Sequence, residues 1–144
     1  MKKERTLAIV LPSCMRYMAT ILEKIEEKAD LRIVKSVTFQ FSAKQAEEFC
    51  AIFHKENLVK VLSYSTVKVL CLEGENAIEK WQNLMGPEDP NAHDAEWWQL
   101  RCMLADGAAY AGGNPDNGFY GSETVEEAKR GLDFVFGPRG LIRR

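Results

Sequence analysis

The stretch that most constrains the fold is residues 6–11, TLAIVL, a run in which five of six residues are apolar. A strand this continuously apolar is typical of the middle of a sheet that is covered on both faces. Pro12 follows it at once and ends it, because proline cannot donate to the strand ladder. The chain is therefore expected to build its core around this first strand.

The spacing of apolar residues downstream alternates between the helical and the extended period. It predicts a helix over 15–29, a half-buried strand over 31–41 that Lys35 interrupts, and a second helix opened by the capping box of Ser42 and Gln45. The remaining expected elements are, in order, a short helix at 57–63, a strand at 66–72, helices at 74–85 and 95–105, a long loop at 107–118, a last helix capped by Ser122, and a strand in which Leu132, Phe134 and Phe136 alternate.

This order predicts an α+β fold, a ferredoxin-like four-stranded antiparallel sheet with helices packed on it. The 144 residues are expected to form one domain, with a core over about 5–136 and short basic tails. Hydrophobic residues make up 46% and charged residues 28%, and the net charge is -2. That balance favours neither a nucleic-acid partner nor a membrane surface.

Ligand-rich motifs are sparse. The four cysteines are scattered, and His54 and His93 are the only histidines, so neither a zinc site nor a disulfide framework is predicted. His93-Asp94 is interpreted as a loop pair and not as half of a metal site. The glutamates that follow Ser122 are interpreted as partners of a helix dipole in preference to metal ligands; they are Glu123, Glu126 and Glu127. Glycine-rich phosphate loops and Ser-His-Asp constellations are absent from the sequence, and a cytosolic protein with reduced thiols is expected.

Four segments nevertheless resemble, in the right order, a nucleoside diphosphate kinase domain: RTLAIVLPS (5–13), EGENAIEKW (73–81), LMGPEDP (84–90) and NGFYGSETVEEA (117–128). The resemblance spans nearly the whole chain. Enzymes of this family pass a phosphoryl group between nucleotides through a phosphorylated histidine, which is covalent catalysis.

The resemblance places Tyr120 at the position of that histidine, and Gly131 at the position of the carboxylate that orients it. A phenol with a pKa near 10 is a poor nucleophile at neutral pH. Tyr120 is interpreted as a ring that fills the emptied site, in preference to a substitute nucleophile or a regulatory phosphotyrosine. Three further positions lack the expected phosphate-binding side chain: Leu11, Gln82 and Glu88.

Arg101 and Asn117 are the two phosphate-site positions that the resemblance leaves in place. For Arg101, residual phosphate binding and a structural ion pair stay open alternatives. The Arg-Pro-Phe-Phe hairpin beside which the family stacks the base is missing, and His54 stands in that region. The loop at 107–118 is longer than the resemblance suggests.

The resulting expectation is a catalytically inactive kinase-like domain that serves as a structural or protein-interaction module, with no cofactor beyond weak binding of nucleotide and Mg²⁺. The resemblance implies a cytoplasmic or cytoskeletal location, including the assemblies of cilia and flagella, and protein partners that include further copies of the chain. Of Trp97 and Trp98, one is expected to face away from the core, either on a partner surface or on a packed surface shelf. The alternative function is a divergent nucleoside diphosphate kinase or nucleotide-binding protein that retains phosphate binding.

Overall fold

A four-stranded antiparallel sheet forms the centre of the computed structural model, which describes residues 3–142. The strands are β1 (Lys3–Val10), β2 (Arg32–Phe39), β3 (Val67–Glu75) and β4 (Phe119–Gly121), in the spatial order β2-β3-β1-β4. The predicted α+β fold is confirmed. As expected of its apolar sequence, β1 lies inside the sheet, between β3 and β4.

Seven α-helices are described: α1 (Met18–Glu27), α2 (Ala43–Phe53), α3 (Val59–Tyr64), α4 (Ala77–Met85), α5 (Leu100–Leu104), α6 (Gly107–Ala111) and α7 (Val125–Phe136). Short 3-10 turns over Pro12–Tyr17 and Glu56–Leu58 lead into α1 and α3. The capping box of Ser42 and Gln45 opens α2 as predicted, with reciprocal bonds of 3.1 and 2.9 Å. Within residues 3–142, no helix has both the length and the apolar character needed to cross a bilayer.

The alternation of β1 divides the core into two layers. Leu7, Ile9 and Leu11 face a cluster with side chains of α2, α3 and α7. Ala8 and Val10 face the opposite cluster, which includes residues of α1 and α4. Both faces of the sheet are thus covered, which is why the second half of this strand, residues 7–10, is apolar at every position.

The C-terminal predictions were wrong in two respects. Leu132, Phe134 and Phe136 belong to α7 and not to a strand, because Ala128, Gly131 and Val135 form a buried stripe at helical spacing that outweighs the short alternation. Thr124, and not Ser122, caps this helix: the Thr124 hydroxyl accepts from the Glu127 amide at 3.1 Å. The fourth strand is β4, which lies in the segment before this cap.

Several element boundaries also differ from prediction. β3 continues through Gly74 to Glu75, so α4 begins only at Ala77. The helix expected over 95–105 is limited to α5, and the loop expected over 107–118 contains α6. Lys35, which interrupts the alternation of β2, coincides with a register irregularity against β3, and its ammonium lies 5.3 Å from the ring centre of Phe136.

Candidate functional site

A pocket of about 500 Å³ opens beside β4, bordered by the turn after α2, the end of α4 and the helices α5 and α6. Among its lining residues are most of the positions that the sequence analysis selected: His54, Gln82, Glu88, Arg101, Asn117, Tyr120 and Glu123. Lys55 and Tyr110 also line it. The fold therefore brings together residues that are more than sixty positions apart in the chain.

Tyr120 lies at the centre of β4 with only 2% of its surface exposed. Its ring packs edge-on against Phe49, with 5.4 Å between the ring centres. The hydroxyl donates to Glu127 Oε2 at 2.8 Å. Burial first, and then the negative charge of Glu127, raise the pKa of Tyr120 well above its ordinary value, so the phenol is protonated at neutral pH.

Two side chains of α4 donate hydrogen bonds to backbone carbonyl groups of β4 and of the residue that follows it. Trp81 Nε1 donates to the Tyr120 carbonyl at 3.1 Å, and Gln82 Nε2 donates to the carbonyls of Gly121 and Ser122 at 3.2 and 3.0 Å. Gly121 is required at its position because a Cβ there would collide with the Trp81 ring. These contacts fix where the Tyr120 side chain leaves the strand.

Arg101 spans the pocket wall from α5, and it is 8% exposed. Its Nη1 donates to the Gly86 carbonyl at 2.8 Å, and its Nη2 donates to the Phe119 carbonyl at 2.7 Å. Its Nε has no hydrogen-bond partner among residues 3–142, and within that range no carboxylate forms a salt bridge with it. Burial lowers the pKa of Arg101 to about 10, against the opposing charge of Glu88, so the guanidinium remains a cation at neutral pH.

Asn117 and Asp116 shape the turn that leads into β4. Asn117 Nδ2 donates to the Glu88 carbonyl at 2.8 Å. Asp116 accepts from the Ser13 amide and hydroxyl at 2.9 and 2.7 Å, and from the Gly118 amide at 2.9 Å. Gly118 adopts a φ of 94°, which other residues rarely adopt. Asp116 was not among the predicted site residues, although an aspartate two residues before a glycine in a turn is a recognisable signal for such backbone bonding.

Leu11 and Gly131 do not line the pocket. Leu11 is fully buried in the core cluster beneath α2, and its amide donates to the Gly118 carbonyl at 2.8 Å. Gly131 lies on the buried face of α7, where a Cβ would come within 3.0 Å of Leu7. No larger side chain fits there without displacement.

Four other positions that the sequence singled out do not line this pocket: His93, Asp94, Trp97 and Trp98. Among residues 3–142, no three His, Cys, Asp or Glu side chains are grouped so that they could hold a metal ion.

Trp97 is 75% exposed, whereas Trp98 is partly buried, which agrees with the expectation that one of the two faces away from the core. Both lie in a turn before α5 and not on a helix.

A family model described as "Nucleoside diphosphate kinase" matches residues 4–141. The chain belongs to the nucleoside diphosphate kinase family.

Individual relatives agree with this assignment. Nucleoside diphosphate kinase 2 of Protochlamydia amoebophila is 34% identical over 151 residues, which cover 100% of this chain and 99% of the relative. The nucleoside diphosphate kinase of Bartonella tribocorum is 34% identical, over 94% of this chain and 95% of its own. Among solved structures, the nucleoside diphosphate kinase of Aquifex aeolicus superposes with a TM-score of 0.82 at 27% identity, covering 98% of this chain and 100% of the other.

These relatives contradict the expected function. A catalytically inactive structural or interaction module was predicted, and the chain was predicted not to be an enzyme. Both predictions are wrong, because the curated relatives that align with nearly the whole chain at about a third identity are named as kinases. The names of these relatives also give no support to a place in cilia or flagella.

Proposed function

We propose that this protein is a divergent nucleoside diphosphate kinase, which binds nucleoside di- and triphosphates in the pocket beside β4 and transfers the terminal phosphoryl group between them. The observation that carries the proposal is that Arg101 is a buried cation with an unpaired Nε in the pocket wall, among the described residues. A cation that is 8% exposed, with an Nε that has no partner among residues 3–142, lines a pocket open to ligands. A buried charge of this kind is stabilised by an anion, and a phosphate group supplies one.

The size and charge of the pocket support a nucleotide. Its volume of about 500 Å³ is in the range of small-molecule sites. Lys55 and Arg101 contribute positive charge to its lining, whereas Glu88 and Glu123 contribute negative charge. The balance favours a phosphate group close to Arg101 and disfavours one close to the two carboxylates.

Binding is expected to be weak. The resemblance to the family places phosphate-binding cations at Leu11 and Gln82, where this chain has none. Each missing charge-assisted hydrogen bond costs roughly 1.5–3 kcal/mol. Two such losses weaken nucleotide binding by roughly two to four orders of magnitude relative to a pocket that holds both cations.

The chemistry requires an acceptor for the phosphoryl group, and Tyr120 stands where the family's phosphohistidine is expected. Its hydroxyl is 2.8 Å from Glu127 Oε2, so a nucleophile and a base are within hydrogen-bonding distance. In the forward step the Tyr120 oxygen forms a bond to the terminal phosphorus while the bond to the bridging oxygen breaks. The diphosphate leaves with that electron pair, and Glu127 takes the phenolic proton.

The return step reverses this sequence. A terminal oxygen of a second nucleoside diphosphate attacks the phosphorus, and the Tyr120 oxygen leaves and recovers its proton from Glu127. Because the pKa of Tyr120 is raised, the free tyrosinate is scarce and proton transfer must accompany attack. We therefore expect slow turnover.

Transfer of label from γ-labelled ATP to GDP, in the presence of Mg²⁺, tests the proposal directly. We expect labelled GTP, together with an acid-stable label on the protein, because a phosphotyrosine is an ester and not a phosphoramidate. Tyr120→Phe is expected to lose both signals, and Tyr64→Phe serves as the matched control because Tyr64 is 82% exposed and does not line this pocket.

The contradictory outcomes separate the two parts of the proposal. If Tyr120→Phe still produces labelled GTP, the covalent step through Tyr120 is wrong, although the transferase function is not. If calorimetry with ADP and ATP detects no binding at millimolar nucleotide and no GTP forms, the proposed function itself is wrong.

A further inference from the structure

The carboxylate of Glu88 borders the pocket beside β4 without a partner of its own. Glu88 is exposed, in the loop after α4, and it belongs to the lining of the pocket. Among residues 3–142, its side chain takes part in no hydrogen bond and no salt bridge. The neighbouring Asp89, in contrast, accepts from the Asn91 amide at 2.8 Å and so shapes the loop. Of the two carboxylates, that of Glu88 is available to a ligand.

Glu88 is held close to the Arg101 cation. Asn117 Nδ2 donates to the Glu88 carbonyl at 2.8 Å, which ties this part of the loop to the turn before β4. Burial lowers the pKa of Arg101, and among the charges that oppose this shift the Glu88 carboxylate has the largest effect. Partial burial and then Glu88 also raise the pKa of Tyr110, another residue of the lining. A phosphate group beside Arg101 therefore lies in the field of the Glu88 carboxylate.

The charged side chains of the lining cancel one another. Lys55 and Arg101 are offset by Glu88 and Glu123. Gln82, where the resemblance expects a cation, donates its side-chain amide to two backbone carbonyls. A free nucleoside diphosphate, which carries several negative charges, therefore enters a lining whose charged residues supply no net positive charge. It is repelled unless its own charge is reduced.

Resting on the proposed function, we propose that Glu88 restricts nucleotide binding in this pocket to the magnesium complex, with its carboxylate coordinating the cation that the phosphates carry. Mg²⁺ is usually held by one or two carboxylates together with substrate phosphates and water, and not by a cage of protein ligands. The side chains of residues 3–142 fit this pattern, since no three His, Cys, Asp or Glu among them are grouped for a metal. The independent sign of an anionic ligand is Arg101, which is 8% exposed and whose Nε has no partner within the same range.

Calorimetric titration with ADP, in Mg²⁺ and separately in EDTA, tests this assignment on the wild type and on Glu88→Gln. The wild type is expected to bind ADP at least roughly tenfold more tightly in Mg²⁺. Glu88→Gln is expected to move the two Kd values in opposite directions. In Mg²⁺ the Kd rises by roughly 5- to 50-fold because a ligand of the cation is lost, and in EDTA it falls by roughly 5-fold because the repulsion is lost.

Two further variants sharpen the comparison. Glu79→Gln, at an exposed glutamate of α4 outside this pocket, is the matched control and is expected to leave both Kd values within about twofold. Glu88→Asp keeps the carboxylate and is expected to keep the preference for Mg²⁺. Replacing Mg²⁺ by Mn²⁺ adds a direct readout, because the paramagnetic resonance spectrum of Mn²⁺ with ADP and protein is expected to differ between the wild type and Glu88→Gln.

Two results overturn the assignment. One is a Glu88→Gln variant whose preference for Mg²⁺ equals that of the wild type. The other is an equal weakening of ADP binding in Mg²⁺ and in EDTA, which would indicate a displaced loop and not a lost ligand. If the wild type binds ADP in neither medium, the proposed function fails and this inference fails with it, a result distinct from both because it does not involve the variant.

Discussion

The hydroxyl of Tyr120 donates a 2.8 Å hydrogen bond to Glu127, joining the middle of β4 to the first turn of α7. The same carboxylate oxygen accepts from the Glu123 amide at 3.3 Å. Glu127 therefore stabilises the turn that joins strand and helix, and it is also the base in the proposed chemistry.

Tyr120→Phe is expected to reduce the free energy of unfolding by roughly 1–2 kcal/mol, because it removes a hydrogen bond to a charged acceptor while leaving the ring packed on Phe49. Urea unfolding measures the change. Tyr64→Phe, at a residue that is 82% exposed, is expected to change stability by less than about 0.5 kcal/mol. Equal stabilities of Tyr120→Phe and the wild type would show that the bond contributes nothing net.

Arg101→Lys is expected to reduce the unfolding free energy by roughly 2–4 kcal/mol. The substitution keeps the charge, but a single ammonium cannot bridge the carbonyls of Gly86 and Phe119 with the geometry of the guanidinium. Thermal or urea unfolding provides the measurement. Arg130→Lys is the control, because Arg130 is exposed on α7. A variant at Arg101 that is as stable as this control would argue against the bridging role.

Gly121→Ala is expected to reduce the free energy of unfolding by about 1–3 kcal/mol, because the added methyl group would collide with the Trp81 ring and lie 2.8 Å from Met85 Cε. Gly112→Ala is the matched control: its nearest neighbours would be carbonyl oxygens at 3.5 Å, an ordinary contact. Unfolding midpoints in urea distinguish the two. Similar midpoints would mean that Trp81 can move without losing its bond to the Tyr120 carbonyl.

Acid is expected to weaken the fold partly through Glu73. Hydrogen bonds from Arg32 at 2.8 Å and Arg5 at 2.9 Å lower the pKa of Glu73 to about 2. Because the folded pKa is below that of the unfolded chain, the unfolded state binds more protons in this window. The contribution of Glu73 to the free energy of unfolding is therefore fully present above about pH 4.5, and it is lost as the pH falls towards 2.

Comparing the wild type with Glu73→Gln between pH 2 and 7 measures this contribution. The difference in unfolding free energy is expected to be largest near neutral pH and to shrink towards pH 2. The arginines are exposed, so 1 M salt is expected to reduce the difference. A difference that does not change with pH would contradict the assignment to these ion pairs.

Patterns among neighbouring residues predicted the features for which the tertiary environment favours the same structure as the local sequence. The apolar residues of β1 and the capping box at Ser42 are examples, since burial on both faces and a capped first turn leave direct marks in sequence. The alternation at Leu132, Phe134 and Phe136 predicted a strand wrongly, because a helix that packs on β1 accommodates the same three residues. The inactive function was predicted from the combined substitutions at the aligned site positions, and it is contradicted because the relatives that align over nearly the whole chain are named as kinases.

By itself, the sequence determined three of the four strands, most of the helices and the family, because periodicity and ordered motifs depend on neighbours along the chain. Only the tertiary structure decided that Leu11 lies in the core, that Arg101 bridges two carbonyls and keeps a free Nε within the described chain, and that Tyr110 lines the same cavity. The physical reason is that hydrogen-bond partners and burial are set by residues distant in sequence. Tyr120 illustrates both: its place in the motif is visible in sequence, whereas the packing of its ring against Phe49, 71 positions away, is decided by the tertiary structure.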